Sequence, residues 1–188
     1  MLIAFHKPFD VLSQFTRELP EHHTLADFSF PPNVYPIGRL DRDSEGLLLL
    51  SDEKSLVDRL LNPRFEHPRT YWVQVEGVPD ADALQRLSNG SLVIQGHRVA
   101  KTKVSQIVNE PVLAPRLPPI RYRASIPTSW LELTLTEGKN RQVRRMTAAV
   151  GLPTLRLVRV AIGGLFLEGI AQGTWRELQV EDRRLLGL

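Results

Sequence analysis

Between Gly38 and Gly46 the chain reads Gly-Arg-Leu-Asp-Arg-Asp-Ser-Glu-Gly, with carboxylates at Asp41, Asp43 and Glu45, and it then enters the apolar run Leu47 to Leu50. Side chains alternate along an extended chain, so an extended Arg39 to Glu45 would set Arg39, Asp41, Asp43 and Glu45 on one face. Crowded carboxylates repel one another. They are tolerable if a cation pairs with them, if one keeps its proton, or if a turn separates them. Each arrangement implies different chemistry: a paired nucleophile, a general acid, a metal cage or a plain charged turn.

A metal reading starts from Asp41-x-Asp43-x-Glu45-Gly46, which mimics the first six positions of a calcium loop and puts Asp52 at the twelfth. The match fails where coordination is decided. Such a loop wants a bidentate glutamate last and a polar ninth position, whereas this chain has the shorter Asp52 and the apolar Leu49. Pro36 also disfavours a helix entering the loop. The expectation is therefore no metal.

With Leu47 included, Gly-Arg-Leu-Asp-x-x-Ser-x-Gly-Leu resembles the catalytic motif of pseudouridine synthases of the RsuA type, which modify ribosomal RNA. Other segments agree, in the order that family uses. His6-Lys7-Pro8 followed by Val11 to Phe15 is similar to its opening motif, and Arg69-Thr70-Tyr71-Trp72-Val73 to its tyrosine motif. Glu137 to Met146 resembles its basic helix, and Arg156 to Gly163 its closing strand. The resemblance implies Asp41 as the catalytic carboxylate, acting at C1′ or helping to deprotonate C2′. It further implies Arg144 as the basic partner of Asp41, Tyr71 stacking on the target base and serving proton transfer, and Leu157 as an apolar neighbour of the flipped base. No cofactor is implied, because the base is only detached, rotated and rejoined.

Each assignment has a plainer alternative. Arg144 would otherwise be a phosphate contact, though a planar guanidinium fork suits a carboxylate. Tyr71 shares a strand face with Val73 and Val75 and would otherwise be core, and Leu157 would be an ordinary core leucine. Arg39 either shields the carboxylates or fills the gap left by an extruded uridine. The family's Lys-Pro-x-Gly reads Lys7-Pro8-Phe9-Asp10 here. Asp tolerates the turn that glycine would make but adds negative charge, which counts against RNA contact by this loop.

The elements that must position these groups are legible as short alternating runs between few amphipathic segments, an α+β class with a mixed, mostly antiparallel sheet and flanking helices. The resemblance adds a central active-site cleft. Expected strands are Leu2 to His6, Val11 to Phe15, Leu47 to Leu50, Thr70 to Glu76, Leu92 to Ile94, Lys101 to Val108, Trp130 to Leu135, Leu155 to Ile162 and Trp175 to Gln179. Helices are expected at Glu53 to Leu61, Ala81 to Leu87 and Asn140 to Val150. On the last, Arg141, Arg144 and Arg145 share one face, opposite Val143, Met146, Thr147 and Val150.

Residues 1–188 are expected to be one catalytic domain of two lobes, with no S4-type RNA-binding domain ahead of it. Asn109 to Pro119, which holds Pro111, Pro115, Pro118 and Pro119, is the expected linker. The flanking Arg116, Arg121 and Arg123 are either RNA contacts or solvated loop charges.

Net charge is only +3 over 188 residues, yet between Glu137 and Val160 Lys139, Arg141, Arg144, Arg145, Arg156 and Arg159 face the single acid Glu137. That local basic excess is either solvated charge on a surface helix, the commoner cause, or the footprint expected of a phosphate-binding surface, with Lys139, Arg141 and Arg145 as the candidate backbone contacts. The absence of cysteine excludes disulfide frameworks, zinc-thiolate sites and the cysteine-liganded deaminases that also act on bases. No segment reads as a signal peptide or membrane span, so a cytoplasmic monomer acting on ribosomal RNA, 23S by resemblance to the short branch members, is the expectation. The rival is a non-catalytic RNA-binding module.

Overall fold

The computed structural model describes residues 1–120, 123 and 125–188, so Arg121 lies outside the described residues. The strands in chain order are β1 (Leu2–Lys7), β2 (Val11–Leu12), β3 (His23–Thr24), β4 (Tyr35–Ile37), β5 (Glu45–Ser51), β6 (Arg69–Glu76) and β7 (Val93–Ile94). They continue with β8 (His97–Arg98), β9 (Lys103–Ile107), β10 (Thr128–Leu135), β11 (Thr154–Ile162), β12 (Leu165–Phe166) and β13 (Trp175–Glu177). The α-helices are α1 (Ser55–Leu61), α2 (Ala81–Ser88), α3 (Gln142–Ala149) and α4 (Val180–Leu185). Two compact units result, Met1–His67 with Val158–Leu188, and Pro68–Leu157.

In the first unit β1 lies antiparallel between β13 and β5. The far edge of β5 is divided: antiparallel β4 covers Leu49 to Ser51, and parallel β11 covers Glu45 and Gly46. That parallel pairing makes the sheet mixed. Both β1 and β5 are buried along their whole length. Strands covered on both faces read as continuous apolar runs, which is why Leu47 to Leu50 shows no alternation. Gly46 is obligatory at the crossing. Its φ is +105°, and a Cβ there would sit 2.3 Å from the Arg159 carbonyl oxygen.

In the second unit β6, β10 and β9 form an antiparallel sheet. Alternate residues Val73, Val75, Leu131, Leu133 and Leu135 pack with Ala83 and Leu87 of α2 and with Val143 and Met146 of α3. Asp80 caps α2 by accepting from the Ala83 amide at 2.7 Å. Gln95 and Gly96, both at positive φ, turn β7 into β8. Asn109 to Pro119 lies inside this unit between β9 and β10; the unit boundaries fall at 67/68 and 157/158 instead.

Several boundaries differ from expectation for identifiable reasons. Strand pairing stops at Leu12 because Ser13 turns its hydroxyl to the backbone of Leu40. Helix α3 starts at Gln142 because Arg141 is left-handed, at φ +51°. Strand β13 ends at Glu177, and a capping box in which the Gln179 amide meets Asp182 at 2.9 Å opens α4. The Arg39 to Glu45 segment is a turn before Glu45, not an extended strand. Among the described residues no helix is long and apolar enough to cross a membrane.

Charge divides sharply between the units. Residues 68–157 hold thirteen Lys and Arg against six Asp and Glu, while the remainder holds eleven against fifteen, giving +7 and −4. The basic excess therefore belongs to the second unit.

Candidate active site

In the first unit, the Gly38–Gly46 segment links the end of β4 to the start of β5. A turn closes when the Ser44 amide donates to the Asp41 carbonyl at 3.0 Å, which breaks the alternation. Asp41 itself is half-buried. The residue before it is gripped by Ser13, whose hydroxyl donates to the Leu40 carbonyl at 2.8 Å and accepts from the Leu40 amide at 3.1 Å. Arg39 is exposed and reaches the Gln14 side chain at 3.4 Å.

A buried cation of this unit, not singled out as a partner from the sequence, is Lys7. It ends β1 in register with Gly46 and is 0 % exposed. Its ammonium donates to the carbonyls of Val11 at 2.7 Å and Pro8 at 2.9 Å. Burial pulls the amine down to about 7, against the opposing pull of Glu45, Asp43, Asp41 and Asp10, which favour the charged form. The straight course of β5 removes the calcium reading, since seven residues of strand carry Asp52 roughly 20 Å from the turn. Among the described residues no group of three or more His, Asp or Glu is arranged to hold a metal ion.

The second unit carries Tyr71, Lys139, Arg141, Arg144, Arg145 and Leu157. Tyr71 is half-buried on β6 and packs against the hydrophobic cluster, with Val73 on its face as anticipated. Leu157 belongs to that cluster and is 5 % exposed, the setting of a core leucine. Lys139 and Arg141 are exposed in the loop before α3, and Arg144 and Arg145 are half-buried on its first turn. Arg145 donates to Asn140 Oδ1 at 2.9 Å and to the Gln95 side chain. The helix buries Val143, Met146 and Thr147, as its periodicity required.

Glu137 organises this loop, a role its place as the one acid in a basic run only hinted at. One oxygen accepts from the Ala100 amide at 2.9 Å and from Gln142 Nε2 at 2.5 Å; the other meets His97 Nε2 at 3.0 Å. Burial alone would raise this carboxyl, but the Ala100 amide, His97 and Gln142 hold it below the usual glutamate range. Gln142 Oε1 in turn accepts the Lys139 amide at 2.9 Å. The loop is therefore tied to the β7–β8 hairpin by Glu137 meeting His97, and α3 by Arg145 meeting Gln95.

Two members of the sequence's basic run are not surface groups. Arg156 is buried and donates to the Ala114 carbonyl at 2.8 Å, and Arg159 is buried and donates to the Leu47 carbonyl at 2.7 Å. Both lie in β11, where a guanidinium satisfies a neighbouring carbonyl. Arg116 turns to the Pro118 carbonyl at 2.9 Å, and Arg123 pairs with Glu76 at 3.2 Å.

Comparison with known proteins agrees with these motifs. Residues 1–149 match the family model described as RNA pseudouridylate synthase. The chain is 54 % identical over 185 residues to ribosomal large subunit pseudouridine synthase E of Xanthomonas campestris, covering 98 % of this chain and 97 % of that protein. It is 48 % identical to the enzyme of the same name from Vibrio vulnificus over 95 % of this chain and 75 % of that one. A crystal structure of a pseudouridylate synthase, 24 % identical, superimposes with a TM-score of 0.80 over 98 % of this chain and 73 % of the other, and so shares its fold. With the aspartate turn, the tyrosine strand and the basic helix all in place, the chain belongs to the RNA pseudouridylate synthase family.

Proposed function

We propose that this protein isomerises a uridine of large-subunit ribosomal RNA, 23S, to pseudouridine, acting as a cytoplasmic monomer. The observation that carries the reading is identity above half with a protein named for that reaction, along nearly the full length of both chains, and Asp41, Tyr71 and Arg144 stand in the segments that resemble the family's motifs. Chemically the N1–C1′ bond breaks, C1′ joins C5, and the C5 proton is lost while N1 gains one. The net change is an isomerisation, so neither redox cofactor nor energy source is consumed.

Asp41 is the reacting carboxylate in this reading, whether it attacks C1′ or promotes loss of the C2′ proton. Both courses need it ionised. Arg144 is assigned as its partner, and Tyr71 as the base-stacking group whose hydroxyl serves proton transfer. Lys139, Arg141 and Arg145 take RNA phosphates and ribose hydroxyls, and Arg39 the space left by the extruded base. The +7 charge of residues 68–157 supports this division of labour. The core setting of Leu157 favours packing over contact with the base.

The test is tritium release from RNA carrying 5-tritiated uridine, with 23S and 16S transcripts and the Asp41→Asn variant compared. Release from 23S alone, lost in Asp41→Asn while RNA binding persists, is expected. Retained turnover in Asp41→Asn would refute the assignment of Asp41, and binding without release by the unmodified chain would favour the binding module.

A further inference from the structure

The turn that presents Asp41 is held from outside by a residue that no catalytic assignment uses. Asp10 adopts φ +63°, a conformation most side chains avoid and Asp accepts. Its amide donates to the Arg42 carbonyl at 2.8 Å, and its carboxylate receives the Arg42 Nε at 2.5 Å. Arg42 immediately follows Asp41 inside the turn that the Ser44 amide closes. Backbone and side chain of Arg42 are thus both fastened to one residue of the preceding loop.

That loop is itself anchored. The buried ammonium of Lys7 bonds the carbonyls of Pro8 and Val11, which bracket Phe9 and Asp10. A continuous support runs from the end of β1 through Lys7 to the 8–11 loop, through Asp10 to Arg42, and so to Asp41. It also accounts for a carboxylate in a loop beside an RNA-directed site, because the charge of Asp10 is matched by Arg42 rather than turned toward phosphate.

We propose that Asp10 and Arg42 act together as positioning residues that set the orientation of Asp41, and that Arg42, despite its charge, is not an RNA contact. The proposal rests on Asp41 being the reacting carboxylate. A brace and a phosphate contact differ in what they change. Loss of a brace misplaces the reacting atom and lowers kcat, whereas loss of a phosphate contact weakens binding and reduces its salt dependence.

The pair is about two-fifths exposed at each partner, so its rupture is expected to cost turnover by a small factor, about three- to fivefold. The experiment compares Asp10→Asn, Arg42→Gln, the double variant and Arg42→Lys in tritium release, RNA affinity across a salt series, and amide hydrogen exchange at Asp10 and Ser44. Asn keeps the tolerance for positive φ, so Asp10→Asn removes only the charge. Expected are equal kcat losses in the two single variants, no further loss in the double, partial recovery in Arg42→Lys, unchanged affinity and salt slope, and faster exchange at both amides. Additive losses, or a salt slope lower by about one in Arg42→Gln, would overturn the brace. If the unmodified protein released no tritium, the functional reading would fall instead. The exchange measurement would still decide whether Asp10 secures the turn: faster exchange at Ser44 supports it, and unchanged exchange overturns it.

Discussion

The buried ammonium of Lys7 makes a prediction about stability that a surface lysine would not. Burial lowers its pKa from an ordinary 10.5 to about 7. Between those values the unfolded chain still holds the proton that the folded chain has released, so the unfolded state binds more protons and stability must rise with pH. Below about pH 7 both states are protonated and the cost of burying the charge is fully present; above about 10.5 both are neutral and it is gone. Each pH unit inside the window is worth up to about 1.4 kcal/mol, so from pH 7.5 to 9.5 the gain is roughly 2 kcal/mol. The assay is urea unfolding of the unmodified protein and Lys7→Met at pH 6, 7.5, 8.5 and 9.5. Lys7→Met leaves the Val11 and Pro8 carbonyls without their donor, which shifts its stability by a constant amount, so the readout is the difference in slope. The two proteins should run parallel below pH 6.5 and diverge above it. Parallel lines throughout would mean that Lys7 keeps its proton when buried, and that the carboxylates around it outweigh its desolvation.

Gly46→Ala should destabilise by about 3 kcal/mol, since it combines a left-handed alanine with a Cβ driven into the β11 backbone; a shift in urea midpoint worth under 1 kcal/mol would show that β5 and β11 separate easily. Lys139→Ala and Arg141→Gln should each lower the slope of log affinity against log salt by about one, with kcat reduced less than affinity; an unchanged slope would remove them from the RNA surface.

The strands most readily anticipated, β1, β5, β6, β10 and β11, are those whose burial writes itself into the residue pattern. A continuous apolar run marks β5, and strict alternation from Val73 to Val75 and from Leu131 to Leu135 marks β6 and β10. Helix α4 escaped because it buries no residue and so carries no apolar stripe; only its capping box announces it. Of the two-residue pairs, β2 and β7 fall inside expected strands, whereas their partners β3 and β8 are too short for any periodicity to register.

For the site, the resemblance of residue types and order to a family's motifs put Asp41, Tyr71 and the basic loop forward as candidates. Local geometry was not legible. Alternation suggested four side chains on one face, yet a hydrogen bond from the Ser44 amide to the Asp41 carbonyl turned the chain and broke that alternation. Nor does composition distinguish Lys7, wholly buried beneath that turn, from exposed Lys139, or Arg156 and Arg159 inside β11 from the arginines of α3. A charged side chain has the same sequence signature whether water or a carbonyl satisfies it. The amino-acid sequence determined which groups were available for chemistry, and only the tertiary structure decided which were spent on holding the backbone, because that depends on which carbonyls the fold leaves without a donor.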